Sequence, residues 1–127
     1  MEEVRIINPF KEGNHFWLGL EEEGLRRKVF RVIDKELVNS ERLVVGLTIF
    51  EPGERCAPHS HPGSEEFNYV IKGTGVAIDV THDKETPFKT NDFIFIPDGV
   101  VHVHYNNGEE PLWLLWAYAP PGDMPTR

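Results

Sequence analysis

An all-β fold is predicted by three features of this sequence. Past residue 40, short apolar runs recur with Gly, Pro, Asn and Asp between them, the rhythm of short strands and turns in a sandwich or small barrel. The stretch VVHVHY has the two-residue period of a strand. Runs such as LLWAY and FIFI are apolar on both faces, as in strands covered on both sides. The chain has 127 residues, enough for a single domain with its own core.

Taken in order, VRII (4–7) and RKVFRVI (27–33) are expected as strands. Between them LEEEGLRR is a helical turn or exposed loop, and after them DKELVNSER is a loop or short helix. RLVVGLTIF (42–50), rich in branched residues, stops at EPGE. EFNYVIKG (66–73) stops at KGTG, and VAIDVT (76–81) stops at HDKE. DFIFIPDG (92–99), VVHVHYNNG (100–108) and PLWLLWAY (111–118) complete the series. A barrel over residues 43–118 follows, with residues 1–42 packing on it or on a partner and residues 119–127 as a tail. Strands apolar on both sides need cover outside the barrel, which a homodimer interface would supply. Trp113, Trp116 and Tyr118 are read as core or interface.

Composition narrows the function. The net charge of −8 lacks the basic footprint of a nucleic-acid binder. No run approaches the ~18 apolar residues of a membrane helix, and MEEVRIINPF does not read as a signal peptide. The single cysteine, Cys56, permits no internal disulfide, so a reducing, cytoplasmic setting is expected.

The chemistry concentrates in GERCAPHSHPGSEEFNYVIKG, residues 53–73. Side chains two apart on a strand share a face, so His59 and His61 point one way, as do His102 and His104 on a later strand. A carboxylate at the start of the strand after His61 can reach the same point. Two or three imidazoles and one carboxylate suit Fe, Mn or a similar divalent ion. Each element alone has a plainer reading: a surface H-x-H pair, solvated glutamates, a packed core histidine. His15 and His82 lie in polar, turn-like contexts and are read as surface residues.

The joint spacing is more specific. Gly53, His59, His61, Glu66 and Gly73 resemble the first motif of the cupin superfamily, G-x5-H-x-H-x3–4-E-x6-G. Asn91, Pro97, Gly99, His102 and Asn106 resemble the second, G-x5-P-x-G-x2-H-x3-N, with Asn91 in place of Gly. Asn tolerates positive φ, so the departure is expected to be harmless. The resemblance covers about residues 43–118. It implies a double-stranded β-helix (jelly-roll) barrel holding one divalent metal ion, Fe, Mn, Ni or Zn. It implies His59, His61, Glu66 and His102 as ligands. Glu66 is preferred to Glu65 because only Glu66 keeps the six-residue gap to Gly73, and strand parity lets only one of the pair point inward. His104, two residues beyond His102, is expected to face the pocket as a catalytic proton shuttle. Asn68, Cys56 and Arg55 are candidate pocket residues, Arg55 as a carboxylate anchor and Cys56, whose strand parity differs from that of the two histidines, more readily as a small buried residue than in a redox role. Four protein ligands leave up to two positions of an octahedral ion for a small polar or organic-acid substrate. A dioxygenase-like or oxidoreductase role is favoured over an isomerase or decarboxylase. A cupin that binds or senses a small ligand without turnover is the alternative.

Overall fold

The alternation in the sequence becomes two antiparallel sheets in the computed structural model, which describes residues 2–121. The strands are β1 (Asn14–Leu18), β2 (Arg27–Ile33), β3 (Val44–Phe50), β4 (Glu65–Lys72), β5 (Thr74–Asp79), β6 (Lys84–Lys89), β7 (Phe93–Ile96), β8 (His102–Tyr105) and β9 (Leu112–Ala119), with a single helical turn α1 (Lys35–Val38) after β2. One sheet runs β1-β2-β3-β9-β4-β7 and the other β6-β5-β8, the layout of a double-stranded β-helix. The long-range order of the first sheet places β9, last in the chain, between β3 and β4.

Register sorts the inner face of the six-stranded sheet into rows. Phe16, Val29, Thr48, Leu114 and Val70 lie side by side across five strands. One step along, Gly46, Trp116 and Asn68 form a row, and beyond it Val44, Tyr118 and Glu66 form another. Successive rows are two residues apart, about 6–7 Å. Phe50, Val70, Phe88, Leu112 and Leu114 close one end with an apolar cluster. The polar side chains of the candidate site gather toward the other end.

Gly46 lies under the indole of Trp116. A Cβ at this position would fall 2.2 Å from Trp116 Cζ2 and 2.6 Å from the Phe30 carbonyl oxygen, far inside van der Waals contact. The absent side chain therefore sets how deeply Trp116 sits. The left-handed backbone expected at the motif's turn positions is also present: Gly73 has φ 99° and Asn91 has φ 77°. Asn91 thus takes the conformation that glycine adopts in the resembling motif.

The N-terminal third differs from expectation. Residues 4–7 form no strand, and Val4 and Ile6 are 95% and 91% exposed. The chain instead enters a turn in which the Asn8 carbonyl accepts from the amides of Lys11, Glu12 and Gly13. The first strand is β1, whose Phe16 and Leu18 turn inward while exposed His15 and Trp17 turn outward. Because β1 and β2 are hydrogen-bonded in sequence to β3, residues 14–33 are part of the barrel wall. Strand β6 also escaped the sequence reading. KETPFK is charged and carries Pro87, which lacks an amide donor; it is tolerated because β6 is an edge strand. Of the expected tail, residues 122–127 lie outside the described residues.

The outer face of β9 is covered within the chain. Phe10 packs on Trp113 with ring centroids 5.5 Å apart, and Lys72 Nζ sits 4.3 Å from the same indole. The outer face of β4 and β7 is not so covered: Phe93 and Phe95 are 73% and 62% exposed, with Phe67 beside them. Gly46→Ala is expected to cost about 1–3 kcal/mol through overpacking. The measurement is the denaturant midpoint, read together with a shift in tryptophan emission as the Trp116 indole is displaced.

Candidate metal centre

His59 and His61 lie on the segment between β3 and β4, which runs beside β8 and adds a broken fourth line to the smaller sheet. Two isolated bridges hold it there, Arg55 to Tyr105 and His59 to His102. From Arg55 to His59 is four residues, whereas from Tyr105 to His102 is three, so one residue is extra on the first side. This bulge resets the side-chain parity. It lets Cys56 face inward together with His59, although their sequence separation is odd, and it corrects the expectation that strand parity separates them. His102 opens β8, and Glu66 is the second residue of β4, opposite Tyr118. Glu66 is buried and Glu65 exposed, as alternation requires.

The four side chains converge. One donor atom from each of His59, His61, Glu66 and His102 lies within 4.8 Å of the other three. Donors about 2.0–2.3 Å from one ion are at most about 4.6 Å apart, so a shift of tenths of an ångström brings all four onto one centre. Their tautomers are arranged for it. The Nδ1–H of His59 donates to the Ala57 carbonyl at 2.8 Å, and that of His102 donates to the Val100 carbonyl at 2.9 Å. In the neutral rings Nε2 then carries the lone pair. Glu66 Oε1 stands 3.2 Å from His61 Nε2 and 3.5 Å from His102 Nε2. Glu66 Oε1 and His102 Nε2 are buried without a hydrogen-bond partner among the described residues, a cost that a divalent cation between them would remove. The donor set and these orphaned atoms fit such an ion.

Behind the four lies a hydrogen-bonded support. Asn68, fully buried, donates from Nδ2 to Glu66 Oε2 at 2.7 Å and accepts at Oδ1 from His104 Nε2 at 2.7 Å. Asn68 is therefore a brace between carboxylate and imidazole, not a wall of the cavity. His104 faces inward as expected, but the role of proton shuttle does not fit its surroundings. Burial pushes its pKa down to about 3, and its Nε2 proton is committed to Asn68. Burial likewise lowers His59, to about 4. For Glu66 burial acts to raise the pKa, yet the adjoining His102 and His61 overcome it and hold the carboxyl well below its ordinary range. His102 is raised, since Glu66 outweighs the opposing effect of burial.

A cavity of about 50 Å³ opens beside the centre. His59, His61, Glu66, His104 and Cys56 line it together with Leu18, Val29, Phe50, Leu114, Trp116 and Tyr118. Tyr118 stacks on His61 at 4.5 Å and on Trp116 at 5.7 Å, so the aromatic wall is continuous with a ligand ring. Trp116 and Tyr118 thus serve the cavity, not a subunit interface. Arg55 is exposed and lies outside the lining, because Cys56 beside it takes the inward direction. The arginine in the cavity wall is Arg27, on β2, with Thr48 near it. Their signal in the sequence was parity: Arg27 shares a strand face with Val29, and Thr48 with Phe50.

The Cupin domain family matches residues 46–118. A polyketide synthase protein, CurC, of Streptomyces cyaneus is 36% identical over 83 residues, 65% of this chain and 52% of that protein. A gentisate 1,2-dioxygenase of a Haloferax species is 31% identical over 94 residues, 72% of this chain and 26% of the dioxygenase. The chain spans about half the length of the first two curated relatives it matches. Among solved structures, a "predicted oxalate decarboxylase" of Thermotoga maritima superposes with TM-score 0.76 at 21% identity, covering 91% of this chain and 98% of that one. The polyketide cyclase RemF of Streptomyces resistomycificus gives 0.74 at 19% identity, covering 94% and 83%. At these identities the structural likenesses establish the fold.

The depressed histidines make the metal-free protein acid-sensitive. Between the ordinary histidine value of 6.5 and folded values of about 4 and 3, the unfolded chain takes up protons at His59 and His104 that the folded one refuses. Stability is therefore lost as pH falls through that window. Glu66 adds a further loss below its ordinary 4.5, while the raised His102 contributes stability that is complete below 6.5 and lost only as pH rises through its folded value, so it stays constant across this window. The melting temperature of chelator-treated protein is therefore expected to fall from pH 6.5 to 4. Scanning calorimetry across that range checks it.

Proposed function

This chain belongs to the cupin domain family, and from that premise we propose that it is a divalent-metal enzyme acting on a small organic oxygen-donor substrate, with oxidoreductase or dioxygenase chemistry. The observation that carries the reading is the convergence of His59, His61, Glu66 and His102 beside an apolar cavity, with buried donor atoms left unpaired. A bound divalent ion supplies a Lewis acid and, if redox-active, an electron-transfer centre.

The chain's own residues do the positioning. The Ala57 and Val100 carbonyls hold the His59 and His102 rings with Nε2 forward. Asn68 aims the Glu66 carboxylate, and His104 fixes Asn68 in turn. Leu18, Val29, Phe50 and Leu114 exclude water from the cavity and strengthen electrostatic interactions inside it. These features weigh against a sugar isomerase. Isomerisation needs a group that exchanges protons near neutrality, and His104 is buried, neutral and already bonded. A polyhydroxylated substrate also finds few polar partners among those apolar walls. The names of two relatives, a gentisate dioxygenase and a polyketide synthase protein, support an oxidative or polyketide-type substrate in this chain as well.

The test joins metal analysis to turnover under air and under argon, using small aromatic and oxo-acids. One metal ion per chain is expected, His102→Ala should lose it, and Asn68→Ala should weaken metal affinity about 10–100-fold through a misdirected Glu66. Oxygen-dependent product supports the oxidative reading; saturable binding with no product on any metal points to a ligand-binding protein instead. We also propose a homodimer, on the strength of the exposed Phe67, Phe93 and Phe95 on β4 and β7. Light scattering at micromolar concentration should return twice the chain mass, and Phe93→Glu with Phe95→Glu should return the monomer.

A further inference from the structure

The charge on Glu66 fixes the direction of the hydrogen bonds behind it. An ionised carboxylate only accepts, so Asn68 turns its amide nitrogen to Glu66 Oε2, 2.7 Å away. The reverse orientation would press two acceptor oxygens together at that distance. Asn68 Oδ1 is thereby turned to His104, whose Nε2 stands 2.7 Å from it and supplies the proton of that bond. His104 is buried, and the side chain it bonds, Asn68, is neutral. A neutral imidazole has one N–H, and here that N–H is at Nε2. Nδ1 is left as an acceptor, and among the described residues no donor is bonded to it. The ring lines the cavity beside the metal centre. Its centroid is 5.4 Å from that of His102, close enough for one small molecule to touch both the acceptor and the metal centre.

We propose that His104 Nδ1 is a specificity-determining acceptor, selecting ligands that carry a hydroxyl or N–H beside the atom that reaches the metal centre. Such a donor extends a chain already in place: ligand to His104, His104 to Asn68, Asn68 to Glu66. All three bonds point the same way, and each polarises the next. A ligand with a bare acceptor at this point meets a lone pair in a low-dielectric cavity, where the mismatch costs more than in water. A ligand with an apolar group there leaves Nδ1 unpaired. The cavity walls formed by Leu18, Val29, Phe50 and Leu114 have no side-chain donor that could substitute. The oxygen-donor substrate of the proposed function is thus narrowed to one that keeps a proton on a neighbouring oxygen, as a catechol or a 2-hydroxy acid does. His104 discriminates by accepting a hydrogen bond and transfers no proton. The inference rests on the metal-centred reading only for what holds the ligand's other atom.

Catechol and 2-fluorophenol separate the donor from the shape, because fluorine is close to a hydroxyl in size and donates nothing. Their affinities would be measured by calorimetry on zinc-loaded and on chelator-treated protein, with zinc content determined alongside. Wild type should prefer catechol in both forms. His104→Ala should reduce the catechol preference by about tenfold, the scale of one buried hydrogen bond. His104→Gln, whose amide both donates and accepts, should keep part of it. Nitrogen-15 spectra of histidine-labelled protein read the tautomer directly: His104 should show a protonated Nε2 and a bare Nδ1, and catechol should move the Nδ1 resonance toward the protonated range. That spectrum also decides the matter if the His104 variants do not fold. A proton on Nδ1, equal affinity for the two compounds, no catechol binding at millimolar concentration, or a His104→Ala variant that weakens both compounds equally overturns the proposal. The last outcome would leave His104 as a brace for Asn68 alone. Failure of wild type to retain zinc overturns the metal reading only, because the comparison and the spectrum in chelator-treated protein still decide the acceptor.

Discussion

A single buried carboxylate organises the centre of this protein. Glu66 is almost wholly removed from water, which by itself would favour its neutral form. It stays ionised because His61 and His102 converge on one oxygen while Asn68 donates to the other. Removing the charge would leave facing imidazoles without their common partner, and removing the imidazoles would strand the charge. Neither half is comfortable alone, and among the described residues a pair of atoms between them has no hydrogen-bond partner. A divalent cation would complete it. The candidate site is thus a frustrated polar cluster inside an otherwise apolar barrel, held by sheets whose register leaves its members nowhere else to go.

Much of this was legible because the controlling rule is local. Alternation places Glu66 inward and Glu65 outward, and the spacing around His59 and His61 follows a recognisable pattern. The positive φ at Gly73 and Asn91 was likewise written in residue type. Where local rules failed, a non-local contact had intervened. Parity set Cys56 against His59 until the bulge opposite β8 brought both inward. Residues 4–7 read as a strand, but a strand needs a partner edge, and the turn at Asn8 leads the chain to β1 instead. Pro87 argued against β6, and only its place at the edge of the smaller sheet removes the objection. His104 shows the same limit in chemistry. Its inward direction was predictable, whereas its fixed orientation depends on Asn68, a residue 36 positions away, and its neutral state on burial.

The candidate metal centre and the cavity beside it have different origins in the chain. The four candidate ligands, Thr48, Trp116 and Tyr118 all fall within the segment that matches the cupin family, residues 46–118. Leu18, Arg27 and Val29 do not; they come from β1 and β2, which extend the larger sheet past β3. The matched segment therefore carries all four candidate metal ligands but an incomplete cavity. One wall, including its buried cation, is added by the part of the sequence with no motif. Similarity confined to the matched segment speaks to the chemistry that a metal centre makes available, and much less to what enters beside it. On this division, proteins alike around His59, His61, Glu66 and His102 are free to differ in substrate, and the place to look for that difference is the strand that carries Arg27.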